Sequence, residues 1–238
     1  MSERPALQSG VERFRRTLIR AVLPRLLLRA TRASHAVRQG VVRAESALGS
    51  RPRVDLYFAF DDPYGVIAVG EMVELTRRHG ADLIVYPVVD HGIRSDPDLP
   101  LRRAYALKDA DRLLRRSGRT LSRKTEIESK DVHFLAAWTE AARARDAAAP
   151  FAAAALSELW LAEEGTIDEK RYREIYDSTV HAAPPAPSAS LDADLARNAA
   201  RLRSRGHWET PAVWVAGEWF FAHERASQVG ELLTRLGG

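Results

Sequence analysis

The chain has no cysteine and only two methionines among its 238 residues. The missing thiol excludes disulfides, thiolate metal sites, a redox-active cysteine pair and a cysteine nucleophile. It leaves the compartment open, because a cysteine-free chain tolerates any redox environment. No GxGxxG, P-loop or GxSxG sequence occurs, so the common phosphate-cradling turns and the nucleophile elbow are missing. Seven histidines are scattered without the paired spacing of a zinc site, and no metal is expected. His91 and His133 read as surface or helix residues rather than ligands. The apolar stretch Leu18 to Leu28 is interrupted by Arg20, Pro24 and Arg25. It reads neither as a secretory signal nor as a transmembrane helix, which places the expected location in the cytoplasm.

What is present suffices for a folded core: 45% of the residues are hydrophobic, in the ordinary range for a globular chain of this length. The net charge of +4 conceals a split. Residues 1–53 hold 12 Arg, no Lys and 3 Glu, whereas residues 54–238 hold 24 basic and 29 acidic groups. A basic arm on an acidic body suggests a partner of its own for the arm. Val11, Phe14, Leu18 and Val22 fall at helical spacing, Pro24 ends or kinks that helix, and Leu26, Leu27, Ala30, Ala33, Val37 and Val41 continue beyond it. Three uses compete. The arm packs on its own domain or on a sister subunit of a homodimer, or it lies on anionic lipid as a peripheral contact. Nucleic acid is disfavoured, since no aromatic or zinc-type reading module accompanies the charge.

The most telling stretch is Val54 to Gly65. It alternates as a strand over Val54–Phe60, breaks at Asp61-Asp62-Pro63, and feeds a helix over Tyr64–His79 that Gly80 closes. Asp82–Val88 reads as a second strand, with Pro87 near its end. The two strands are expected parallel with a right-handed crossover. A loop, Asp90–Pro100, leads into helical tracts at Ala104–Ser117, Asp131–Ala148, Ala152–Glu164 and Asp168–Ser178, punctuated by Gly118, Pro150 and Gly165. A Pro/Ala/Ser linker, His181–Ser190, precedes a helix over Leu191–Arg205. The end of the chain reads as a strand Ala212–Ala216, a turn at Gly217-Glu218, a return strand from Trp219 and a helix over Glu224–Leu236. Both β parts are too short to stand alone and should share one sheet.

This order, β-α-β, helical insertion, β-β-α, resembles the thioredoxin-like layout of the DsbA superfamily. DLYFAFDDPYGVIA resembles the FxxSPYSxL opening of the branch that contains 2-hydroxychromene-2-carboxylate isomerases and kappa-class glutathione transferases. Leu99-Pro100-Leu101-Arg102-Arg103-Ala104-Tyr105 with Lys108-Asp109 and Arg112, the helix Ala155–Asp168, and Thr210-Pro211 before AVWVAGEWFFAHER resemble further segments of that branch in the same order. The fold implied is α/β: a thioredoxin-like domain over 54–238, its thioredoxin part at 54–100 and 191–238, a helical insertion at 101–190, and a basic helical arm at 1–53.

The resemblance also implies a site and a reaction. The thiol would come from bound glutathione, with the pocket lying between sheet and insertion. Arg102 would hold a glutathione carboxylate, Thr210 would offer its main chain, and Glu224, with His223 beside it, would hold the γ-glutamyl ammonium. Tyr64 would line the pocket, and Pro211 would be either a cis-proline facing it or a trans proline at a strand start. The centre departs from the pattern. Asp62 stands at the Ser position and Gly65 at the second polar position. Ionised, Asp62 cannot donate a hydrogen bond to a thiolate. Two unit charges about 4 Å apart at an effective dielectric near 20 repel by roughly 4 kcal/mol. Asp62 is therefore either a helix cap ahead of Pro63 or a catalytic carboxylate acting as general base. The expectation is a glutathione-dependent isomerase or transferase relative acting on an aromatic or electrophilic small molecule. The alternative is a catalytically degenerate binding or scaffold protein. A thiol–disulfide oxidoreductase lacks its redox sulfur.

Overall fold

The computed structural model describes residues 23–93, 95–163 and 167–237, with side chains from residue 33 onward. Helix α1 spans Leu23–Ala47, strand β1 Arg53–Phe58, helix α2 Tyr64–His79 and strand β2 Asp82–Pro87. Five helices follow: α3 Leu99–Arg116, α4 Ser129–Ala142, α5 Ala148–Leu161, α6 Glu169–Val180 and α7 Ala189–Ser204. The chain closes with β3 Ala212–Val215, β4 Glu218–Phe221 and α8 Ala226–Leu236.

The four strands form one sheet in the order β2-β1-β3-β4. β1 runs parallel to β2 and antiparallel to β3, and β3 pairs antiparallel with β4. The sequence dictates why β1 is central. Val54, Leu56 and Phe58 point to one face and join a core with α2, α5 and α8. Tyr57 points to the other and packs with Tyr86 against Ala199 and Leu202 of α7. A strand covered on both faces needs apolar residues at nearly every position. The exception, Asp55, is buried but bonded by Arg53 Nε at 2.6 Å and Arg205 Nη1 at 2.7 Å.

Several expectations shift at their edges. β1 stops at Phe58, two residues before the expected end, and α3 begins at Leu99 rather than Ala104. Pro150 does not separate two helices. It sits in the first turn of α5, where its missing N–H costs no helix bond, and α4 ends earlier, at Ala142. The hairpin turn is Ala216-Gly217, not Gly217-Glu218. Both residues have positive φ, 46° and 98°, and Val215 pairs directly with Glu218, the geometry of a two-residue turn of primed type. Gly165 lies outside the described residues, as do Val11, Phe14, Leu18 and Val22.

Described parts of the arm pack on the body. Val42 joins the main core, Arg43 Nε donates to the Arg235 carbonyl at 2.8 Å, and Arg38 lies over the Trp214 ring at 5.8 Å. Among the described residues, no helix is long and apolar enough to cross a membrane.

Candidate functional site

The C-terminal edge of β1 and β2 is where the site assembles, because two parallel strands end there and both of their following loops converge. After β1 the chain turns through Asp61, Asp62 and Pro63 into α2. Trp160 of α5 fixes this turn from the insertion side, its indole Nε1–H donating to the Phe60 carbonyl at 3.0 Å. Gly65 is set by packing: a Cβ there would come 3.0 Å from the Ala59 carbonyl oxygen and 3.5 Å from the Leu156 side chain. The turn has no room for a polar side chain at that position.

Asp62 makes two bonds. One oxygen accepts the Tyr64 backbone N–H at 3.0 Å, and the other accepts the Thr210 hydroxyl at 3.1 Å. The first bond caps the start of α2; the second ties α2 to the loop before β3. The Thr210–Pro211 peptide bond is cis. Thr210 Oγ1 lies 3.2 Å from His91 Nδ1, and His91 Nε2 lies 3.1 Å from Asp61 Oδ1. Glu209 Oε1 stands 3.6 Å from His91 Nδ1. Arg102 closes the outer end, one arm on Asp96 Oδ2 at 2.6 Å and the other on Glu209 Oε2 at 2.8 Å.

The electrostatics follow from this crowding. Asp62 reaches the cavity with part of its surface, while its carboxylate lies deep beneath the protein surface. Burial pushes it up to about 7, against the His91 charge, the Tyr64 N–H and the Thr210 hydroxyl. Burial also opposes charge on His91, but its contacts with Asp61 and Glu209 outweigh this and hold the imidazolium up to about 10. Asp61 and Glu209 are both held below the usual carboxylate range: burial alone would raise them, and His91 reverses the effect. With His91 doubly protonated, one hydrogen-bond direction satisfies the chain. His91 Nδ1–H donates to Thr210 Oγ1, and the Thr210 hydroxyl donates to ionised Asp62.

On the opposite wall Tyr64 donates its hydroxyl to Asp109 Oδ2 at 3.1 Å and stacks on His223 with ring centres 4.0 Å apart. Burial, with Asp109 beside it, keeps the Tyr64 phenol protonated well above the usual range, and burial holds His223 neutral. Asp61, His91, Glu209 and Trp160 border one cavity of about 650 Å³ between the sheet edge and the insertion, whereas Asp96 and Asp109 are not part of its lining. Asp62, Tyr64, Arg102, Thr210, His223 and Glu224 line it; Pro211 does not.

Glu209 escapes the sequence reading, and Asp61 and Asp109 enter it only as members of motifs, without a role. His91, read as a surface or helix residue rather than a ligand, lies in the loop after β2 with its side chain 20% exposed and is the hub of the network. The available signal was its place just past the C-terminal end of β2, beside the turn after β1. Among the described residues no group of three or more His, Asp and Glu is arranged to hold a metal.

Glutathione, the thiol implied by the resemblance, does not suit this lining. Its carboxylates need an open cation, yet both arms of Arg102 already hold carboxylates. Its thiolate needs the N–H groups of the α2 start, yet the Asp62 carboxylate takes the Tyr64 N–H.

Comparison with solved structures supplies the frame. The chain is similar to a 2-hydroxychromene-2-carboxylate isomerase, with 15% identity and a TM-score of 0.60 over 77% of this chain and 95% of that one. It is similar to a probable DsbA oxidoreductase from Streptomyces coelicolor, with 13% identity and a TM-score of 0.55 over 78% and 90%. A putative protein disulfide isomerase from Nitrosomonas europaea matches with 9% identity and a TM-score of 0.56 over 78% and 97%. No protein-family model and no curated protein sequence matches the chain. The fold is thus the DsbA-like thioredoxin fold with a helical insertion.

Proposed function

We propose that the cavity belongs to a thiol-independent isomerase-type enzyme that moves a proton on a small, largely apolar molecule, with Asp62 as the general base. The observation that carries this reading is the hydrogen-bonded chain Asp62–Thr210–His91 along the cavity lining. The resemblance of the turn would put Asp62 at the position of a reactive serine, and a carboxyl near 7 is matched to taking and returning a proton at neutral pH. In the resting form Asp62 is ionised and accepts the Thr210 hydroxyl. A substrate C–H or O–H proton passes to the carboxylate. The Thr210 hydroxyl then turns to accept from the newly formed carboxylic acid, and the His91 imidazolium, one hydroxyl away, supplies the positive field for the charge left on substrate. The same carboxyl returns the proton at another atom, which completes an isomerisation without redox change. Tyr64 does not serve as the acid, because its proton is committed to Asp109.

The test is hydrogen–deuterium exchange of carbonyl-activated aromatic substrates, followed by NMR in D₂O without glutathione. Exchange is expected with the parent, rising with pH through about 7 as Asp62 ionises. Asp62→Asn is expected to lower it by about 10²–10⁴-fold. Thr210→Val should reduce it, and Thr210→Ser should retain it. Exchange unaffected by Asp62→Asn, or appearing only with glutathione, overturns the reading. A second reading, a catalytically silent binding protein, draws on the capping bond from Tyr64 to Asp62. It gains if no member of the panel exchanges while ligands still bind.

A further inference from the structure

The cavity lining combines exposed apolar side chains with an excess of carboxylates. Among the described residues ten large apolar side chains are exposed, and six of them, Val89, Ile93, Leu99, Leu101, Tyr105 and Phe221, line this one cavity. Scattered exposed apolar residues need no explanation, but a collar around one opening marks a binding site. The charge of the same lining is negative. The described lining holds six carboxylates, on Asp61, Asp62, Asp90, Glu126, Glu209 and Glu224, against the cations His91, Arg102 and Arg103.

Those cations are engaged. Arg102 binds Asp96 and Glu209, Arg103 lies 3.4 Å from Glu126, and His91 sits between Asp61 and Glu209. Two carboxylates lack a direct cationic partner among the described residues. Asp62 is bonded by neutral donors only, and Glu224 faces His223, which burial keeps neutral. A second observation points the same way. Of the buried side-chain polar atoms left without a hydrogen bond among the described residues, only His223 Nδ1 belongs to a residue lining this cavity. The His223 side chain is 8% exposed, with Nε2 turned toward Glu224 at 3.8 Å. A neutral ring that keeps its proton on the side of that carboxylate leaves Nδ1 a buried acceptor without a partner. Two aromatic residues of the lining, Tyr105 and Phe221, are exposed, and aromatic rings attract cations.

We infer that the ligand of this cavity is an aromatic or apolar amine bound as its cation, and that the cavity turns away the carboxylate of the same shape. The inference rests on the reading of the cavity as a small-molecule site and adds the sign of the ligand's charge.

Isothermal titration of the full chain at neutral pH with three probes of one shape tests it: 2-naphthylmethylamine, 2-naphthylmethanol and 2-naphthoate. The amine is expected to bind at least tenfold more tightly than the acid, with the alcohol between. Glu126→Gln combined with Glu224→Gln should shrink the gap several-fold; both residues are well exposed, so the fold is not at risk. Equal binding, preference for the acid, no amine binding, or a gap unmoved by the two glutamines each overturns the inference. Its failure is distinct from failure of the proposed reaction. Selective amine binding without proton exchange sinks the reaction and leaves the ligand class standing. Exchange on an enzyme that prefers the acid does the reverse.

Discussion

Asp62 carries two incompatible demands, a cap for α2 and a buried charge with no cation bonded to it, and its titration records the conflict. Its pKa in the folded state, about 7, exceeds the unfolded value near 4. Between these values the folded protein holds a proton that the unfolded chain has released, so stability falls as pH rises through that window and levels above it. The span is on the order of 2–4 kcal/mol. His91 acts in the same direction at higher pH: its contribution is complete below about 6.5 and is lost as pH climbs toward 10. Urea unfolding across pH 4–10 should therefore show a long decline. Asp62→Asn should flatten its lower half and leave the variant more stable than the parent at pH 8, even as proton exchange is lost. Because asparagine caps as well as aspartate, a variant less stable than the parent at pH 8 would mean that the charge-assisted bonds from the Tyr64 N–H and the Thr210 hydroxyl outweigh the cost of burying the charge. Asp62 and Thr210, which line the cavity, were legible as candidates because each sits in a local pattern, a strand–turn–helix junction and a proline before a strand. His91 and Glu209 were not, because their meeting depends on two loops more than a hundred residues apart.

Elements with strong local punctuation were read from sequence almost to the residue. α2 runs over the span expected because Pro63 fixes its start and Gly80 takes the left-handed conformation at its end. Where a signal has two meanings, the reading slipped. Pro150 marks a helix start as readily as a break. Gly217 fits either position of a two-residue turn, and only pairing of Val215 with Glu218 selects the second. That choice puts Ala216 at φ 46°, a conformation asparagine tolerates better than alanine. Ala216→Asn would create the Asn-Gly pair that primed turns favour. It is expected to raise the melting temperature by about 1–3 °C. Differential scanning calorimetry checks it, and a fall would show that the Ala216 methyl matters more to packing than to the turn.

At the scale of the whole molecule, the split in charge becomes a split in attachment. α1 touches the body through Val42, Arg38 and Arg43, while Val37 and Val41 remain exposed. Val42→Asp is expected to loosen this helix and leave the sheet and insertion intact. Limited trypsin digestion should then cut near Arg51 several-fold faster, with the circular-dichroism melting point of the body unchanged. Loss of the whole fold would show instead that α1 is integral to the core. One tryptophan has a further use. Of the five in the chain, Trp160 alone among the described residues borders the cavity, and its indole hydrogen is bound to the turn that carries Asp62. The protein therefore contains its own optical probe. A ligand that seats against the indole or moves the turn should shift its emission, and subtracting the spectrum of Trp160→Phe isolates that signal from the other four. Occupancy can be followed by fluorescence before any substrate is known.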